Sequence, residues 1–368
     1  MTRVTGIILV LLTHFNLAQS QVTYLDRPDL LQRVEICLQH TYNFSFTVAR
    51  QYQQELLKKT PYHPAPHFLH ALIIYWEYFP LTPEHERSDQ FIEVMDRTVN
   101  LAESYLTSDD TYLEGVFFDL FGRAFKAMYW ADNGKAARVV PDLGTMYRHT
   151  MEGFRLKEEF SEFYFSTGLY NYYIEAYPEA HPIYKPLLSF MKEGDKKLGI
   201  KQLTTAIRHS TYLKVESLLF MSLIQLNYEE DLKTAALYAE KLYGQYPLNT
   251  YYQGLLITIL LHLHRFEKVR EILENMDHQQ NSYAELVNEA ALAFLEEKDV
   301  RNLGLARRKY FRVLEMAESI GPFADIFQAI GYMGLSRIYE RRGLNIDAKR
   351  YARKAASHTA YTYILNEK

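Results

Sequence analysis

Residues 219–247 read LFMSLIQLNYEEDLKTAALYAEKLYGQYP, and the spacing within this stretch decides the fold. Leu219, Ser222, Leu223 and Leu226 recur at three- and four-residue steps, the period of one helix face. The polar run Asn227-Tyr228-Glu229-Glu230-Asp231 interrupts that face, and Ala235, Ala239 and Leu242 then line a second helix. Pro247 ends it, because proline has no backbone N–H to continue the ladder. Small side chains at Ala235 and Ala239 allow two antiparallel helices to approach closely, so the stretch predicts a helical hairpin.

The same order recurs outward from this hairpin. Tyr332, Leu335, Ser336 and Tyr339 precede Gly343, and Ala348, Ala352 and Ala355 follow. Near the N-terminus, Cys37, Ala49, Leu56 and Pro61 fall at the corresponding positions, which assigns Cys37 to packing. Fainter frames run through Leu256, Phe266, Val269, Leu273 and Met276, and through Ala290, Ala293, Ala306, Tyr310 and Val313. Between the frames the periodicity predicts helices over residues 64–79, 88–106, 111–131, 135–157, 158–177 and 193–210. Breaks are expected at Pro80/Pro83, Gly134 and Pro178/Pro182. The chain has 368 residues with only 16 Gly and 12 Pro against 30 Tyr and 21 Phe, a composition for well-packed helices rather than loops or disorder. A chain this long exceeds one compact core, which favours an elongated array in which each hairpin buries its apolar face against its neighbours. The expected fold class is all-α: an α-solenoid of about eight antiparallel helix pairs, with an irregular, aromatic-rich middle.

The hairpins at 219–247 and 332–355 resemble the tetratricopeptide repeat in their small, apolar and proline positions, and Tyr246-Pro247-Leu248-Asn249 is similar to that family's inter-repeat turn. In most frames the family's first-helix tryptophan and its glycine are absent or replaced, which departs from a uniform superhelix. The run from Phe163 through Gly168-Leu169-Tyr170 to Gly194-Asp195 is similar to helical-repeat proteins related to yeast inclusion-body clearance factors, a likeness used for fold alone. The repeat resemblance implies a curved array whose concave face takes a protein or peptide partner. The expected organisation is a signal peptide over 1–20, N-terminal repeats over 21–160, and repeats with a terminal cap over 161–368.

The signal-peptide reading rests on Arg3, the apolar run 6–12 and small residues Ala18 and Ser20 ahead of Gln21. It predicts an exported protein, periplasmic in a Gram-negative bacterium and otherwise secreted. The single cysteine cannot form an intramolecular disulfide, so packing must supply the stability. The longest other apolar run, 255–263, is too short to span a bilayer.

For a binding site the sequence offers the aromatic stretch 147–184. Tyr164, Tyr170, Tyr173 and Tyr177 are the candidate partner-contacting residues, with Tyr170 and Tyr173 beside Gly168 preferred. Packing between long helices is the competing reading of the same rings. His63, His67 and His70 form a candidate metal cluster, of which His67 and His70 share a helix face, but no acidic ligand stands nearby in sequence. His85 or Glu84 would complete that site only by the next loop folding back. Asn43-Phe44-Ser45 is a formal glycosylation acceptor at a predicted turn, where Asn43 has a capping role open to it. No phosphate loop, zinc-protease, nucleophile-elbow or Cys-x-x-Cys motif is present, so no catalytic residue and no cofactor is assigned. Residues 301–368 carry a net charge of +7 within a chain of net −4. That asymmetry suits a solvated terminal repeat, or else an acidic partner or anionic lipid, and nucleic acid is not expected. The reading that results is a noncatalytic exported scaffold or adaptor. The alternatives are a helical protein binding a small molecule or glycan in an aromatic pocket, and a metal-dependent enzyme using the histidines.

Overall fold

The computed structural model describes residues 22–180, 185–188 and 190–368; the export segment expected over residues 1–20 lies outside the described residues, as does the break expected at Pro182. The helices are α1 (Pro28–Tyr42), α2 (Phe46–Lys59), α3 (Pro64–Glu77), α4 (Ser88–Tyr105), α5 (Tyr112–Asp132), α6 (Leu143–Leu156), α7 (Phe163–Ala180), α8 (Lys185–Leu188) and α9 (Lys196–His209). They continue with α10 (Lys214–Asn227), α11 (Leu232–Gln245), α12 (Thr250–His262), α13 (Phe266–Asn275), α14 (Ser282–Lys298), α15 (Leu303–Ile320), α16 (Asp325–Arg341), α17 (Asn345–His358) and α18 (Thr362–Leu365). Strands are absent among the described residues. Consecutive helices pack as antiparallel pairs: α1/α2, α3/α4, α5/α6, α7/α9, α10/α11, α12/α13, α14/α15 and α16/α17. The chain is an α-solenoid of the predicted kind, and residues 219–247 form the α10/α11 pair.

The pairs share a contact that the sequence frames anticipated. Cys37 Sγ donates to the Ala49 carbonyl at 3.3 Å across α1/α2. Ser222 Oγ donates to Ala235 at 3.0 Å across α10/α11, and Ser336 Oγ to Ala348 at 2.9 Å across α16/α17. A small polar side chain on the first helix thus meets a fully or nearly buried alanine on the second, which brings the two backbones close enough for the bond.

The turns between paired helices repeat as well. One residue is left-handed in six of them: Phe44 (φ 57°), Gly134 (69°), Glu230 (53°), His264 (56°), Arg301 (62°) and Gly343 (73°). The following amide then reaches back to the first helix, as in Ser45 to His40 O (2.8 Å), Arg265 to Leu260 O (2.9 Å) and Leu344 to Tyr339 O (3.0 Å). This satisfies end carbonyls that would otherwise lack partners. Asn43 caps α1, and its Oδ1 accepts from the Leu248 amide at 3.3 Å, so it shapes the turn as expected. Side-chain caps start several later helices, including Asp231 on Thr234 N (3.0 Å), Asn281 on Ala284 N (2.8 Å) and Asn302 on Leu305 N (3.1 Å).

The middle departs from the sequence expectation. Residues 135–157 are not one helix: Ala136–Asp142 form a 3₁₀ segment containing Pro141, and α6 begins at Leu143. The helix expected over 158–177 starts at Phe163, and Glu162 just before it bonds to a distant segment. Its carboxylate accepts from the amides of Thr211 (2.5 Å), Tyr212 (2.9 Å) and Leu213 (3.0 Å), just ahead of α10. Pro178, expected to end that helix, sits within its last turn, where only one more turn of ladder is lost.

The array curves until its first pairs meet its later ones. The Tyr42 hydroxyl donates to Glu216 on α10, and Asn249 Nδ2 donates to the Tyr42 carbonyl at 3.0 Å. Phe68 on α3 lies 6.5 Å from Tyr212, and Trp76 lies 5.7 Å from Tyr252 on α12. Helices α3 and α12 are apolar nearly all round because both are enclosed by this closure.

Candidate functional site

Where the inner faces of the two halves do not meet, they leave a cavity of about 640 Å³. Helix α3 contributes Tyr75 and Trp76, the turn after it Phe79, and the end of α5 Met128 and Asp132. Helix α10 adds Leu223 and Asn227, α12 adds Tyr251, Leu255 and Thr258, and α14 adds Tyr283. Phe323 and Asp325 come from the start of the last pair, and His358, Tyr361 and Tyr363 from the C-terminal segment that crosses the inner face. Ala131, Pro322 and Ala360 also line the cavity and are exposed, so they mark its opening.

The rings meet at steep angles rather than as a flat platform. Phe79 is the hub: it stands 5.7 Å from Tyr251 at 73°, 5.2 Å from Tyr283 at 72° and 5.6 Å from Phe323 at 84°. Trp76 lies 5.5 Å from Phe79 and 6.1 Å from Tyr251. Edge-to-face contact of this kind is the favourable arrangement of ring quadrupoles, and it builds a walled space.

Few polar groups reach this space. Among the described residues that line it there is no lysine or arginine, while two are aspartates. Tyr75 Oη donates to Asp132 Oδ2 over a long 3.5 Å, and burial pushes the Asp132 carboxyl up to about 6. Asp325 Oδ1 lies 3.1 Å from His358 Nδ1. Trp76 Nε1 and Asn227 Oδ1 are buried without a hydrogen-bond partner in the protein. Both atoms belong to residues that line the cavity but are themselves covered, and an unpaired buried donor or acceptor is costly.

The sequence candidates lie elsewhere or at the margin. Tyr170 packs on Tyr147 (6.0 Å) and Phe154 (5.8 Å), and its hydroxyl donates to the Lys192 carbonyl at 2.6 Å. Tyr164 donates to Glu158 at 2.7 Å. Tyr173 is partly buried against Tyr172 (5.4 Å) and Tyr228 (5.4 Å), and Tyr177 remains 36% exposed. Burial raises the Tyr228 phenol to about 12, with Tyr361 and Tyr177 adding to the rise, so Tyr177 and Tyr228 stand near the C-terminal segment that borders the cavity. None of the four candidates lines the cavity itself.

The histidines separate in role. His63 is fully enclosed at the start of α3: its Nδ1 accepts from the Ala65 amide at 3.0 Å, which leaves Nε2 to donate to Glu114 at 3.1 Å. His67 Nε2 faces the Pro61 carbonyl at 3.1 Å, and burial lowers both His67 and His70. Among the described residues no group of three or more His, Cys, Asp or Glu is arranged to hold a metal.

The cavity residues passed unnoticed in the sequence, although two signals pointed at them. Helix α3 carries apolar residues on every face, and so does the run 255–263. A helix of that kind in a soluble array must be enclosed on all sides, which locates the place where the array closes. No protein-family model matches the chain, and no curated protein matches it either. Among the described residues, no helix is long and apolar enough to cross a membrane.

Proposed function

We propose that this chain is a noncatalytic, exported scaffold or adaptor of tetratricopeptide-like repeats that binds a protein or peptide partner on its inner face. The observation that carries the reading is the aromatic cavity of about 640 Å³, set where the inner faces converge. A preformed, walled site binds with little ordering cost, so a partner segment inserting one or two side chains gains affinity from ring contact. The repeat spacing of 219–247 and 332–355 supports the family reading, and residues 1–20 support export.

A photocrosslinking residue at Phe323, on the cavity wall, against one at Leu237, exposed on α11, tests this reading in the host. A discrete protein adduct at position 323 and none at 237 is the expected result. Equal labelling at the two positions, or none at 323, refutes it. The bounded volume favours one second reading, a small molecule or glycan held in the cavity, since about 640 Å³ falls within the range of small-ligand pockets. Native mass spectrometry of the host-purified chain distinguishes the two, because a bound small molecule on an otherwise solitary chain supports only the second.

A further inference from the structure

Resting on the reading of the cavity as a binding site, we infer that its ligand is an organic cation, presented as the lysine or arginine side chain of a partner segment. The charge inventory leads there first. Asp132 and Asp325 are the carboxyl groups of the wall; among the described lining residues the one basic side chain is His358, which Asp325 already engages. Among the described residues Asp132 has the distant Tyr75 hydroxyl as its hydrogen-bond partner and no ion-pair partner. An anionic ligand would meet two carboxylates with no lysine or arginine to offset them.

The shape of the wall points the same way. A saccharide stacks on an open ring platform, whereas Tyr251, Tyr283 and Phe323 stand at 72–84° to Phe79. Aromatic rings lining one space attract a cation through their quadrupoles when a face meets it, the more so when the cation is stripped of water. The carrier of that cation is a peptide on the proposed function, in which a partner segment inserts one or two side chains into the cavity. Asp325, nearly half exposed, lies toward the exposed Pro322 at the opening, and Asp132 is the more buried of the two.

The test is calorimetric titration at pH 7.5 with acetylated, amidated pentapeptides carrying a central lysine, norleucine or glutamate, and with spermidine and maltotriose. The lysine peptide should bind at least ten-fold more tightly than the norleucine peptide, and Asp132→Asn should abolish that difference while leaving the thermal melt in place. Equal binding of the lysine and norleucine peptides overturns the cation and leaves the peptide reading standing. Binding of spermidine alone, with the same dependence on Asp132, keeps the cation and removes the peptide. A preference for the glutamate peptide or maltotriose, or no binding by any probe, overturns the inference.

Discussion

Replacing Glu216 by glutamine should flatten the pH dependence of stability, and the structure gives both sign and size. Glu216 lies in the first turn of α10, enclosed where the first pair meets the fifth. One carboxylate oxygen accepts from the Tyr42 hydroxyl, and the other is buried without a partner. Burial pushes the group up from its ordinary 4.5 to about 7, against the smaller lowering by Tyr42. A carboxyl whose folded value is raised keeps its proton longer in the folded state than in the unfolded one. Its stabilising contribution is therefore complete below about 4.5 and is lost as pH rises to about 7. At 1.36 kcal/mol per pH unit the ceiling is about 3 kcal/mol, and relaxation around the charged form lowers it to the order of 1–2 kcal/mol. Glutamine retains an acceptor for Tyr42 and cannot ionise. Melting followed by circular dichroism should therefore give wild type a midpoint several degrees lower at pH 8 than at pH 5, with Glu216→Gln losing a visible part of that drop. Parallel curves for the two proteins would show that the buried carboxylate is fully compensated and would refute the reasoning.

Two further substitutions probe the packing. Gly199→Ala places a Cβ 2.8 Å from both the Gly168 carbonyl oxygen and the Tyr172 amide nitrogen, so α7 and α9 must separate; a loss of about 2 kcal/mol or more is expected, with faster hydrogen exchange confined to this pair. Arg337→Ala removes the two guanidinium bonds, 2.8 and 2.7 Å, that neutralise the fully buried Glu297, and should cost about 3–5 kcal/mol in chemical denaturation, against about 1 kcal/mol for Ser336→Ala next to it.

The helix pairs were legible because their signal is local. Periodicity, small residues at Cys37, Ala49, Ser222, Ala235, Ser336 and Ala348, and Pro247 all act within one hairpin. One boundary that misled is local, the 3₁₀ segment around Pro141, and another adjoins a distant contact: Glu162, just before α7, caps residues some fifty positions on, which no local pattern records. The turns hide the repeat in another way. Four of the six left-handed positions are Phe44, Glu230, His264 and Arg301, so the conformation persists where its usual glycine marker is missing. Tertiary closure sustains a turn that the isolated sequence disfavours. The aromatic stretch 147–184 drew attention by density, yet Tyr147, Phe154 and Tyr170 pack on one another away from the cavity.

The tyrosine abundance has a physical reason that also locates the cavity. A solenoid that curves back on itself must fill the space between opposing inner faces, and that space is wider than aliphatic side chains span. Tyrosine supplies ring area together with a hydroxyl that can end on a polar group of the facing helix. Tyr42 reaches Glu216 across the closure, and the same device joins neighbouring elements, where Tyr172 reaches Glu229 at 2.5 Å, Tyr310 reaches Glu297 at 2.8 Å and Tyr105 reaches the Val22 carbonyl at 3.1 Å. Each bond removes the cost of an unpaired buried hydroxyl and holds two elements at a set separation. Around Trp76, Phe79 and Tyr251 the same kind of filling stops short and leaves the cavity. If this space existed only to stabilise the curvature, rings closing it would be favoured over two aspartates left lining it. The cost of keeping those groups there is what makes the cavity the place to look for a ligand.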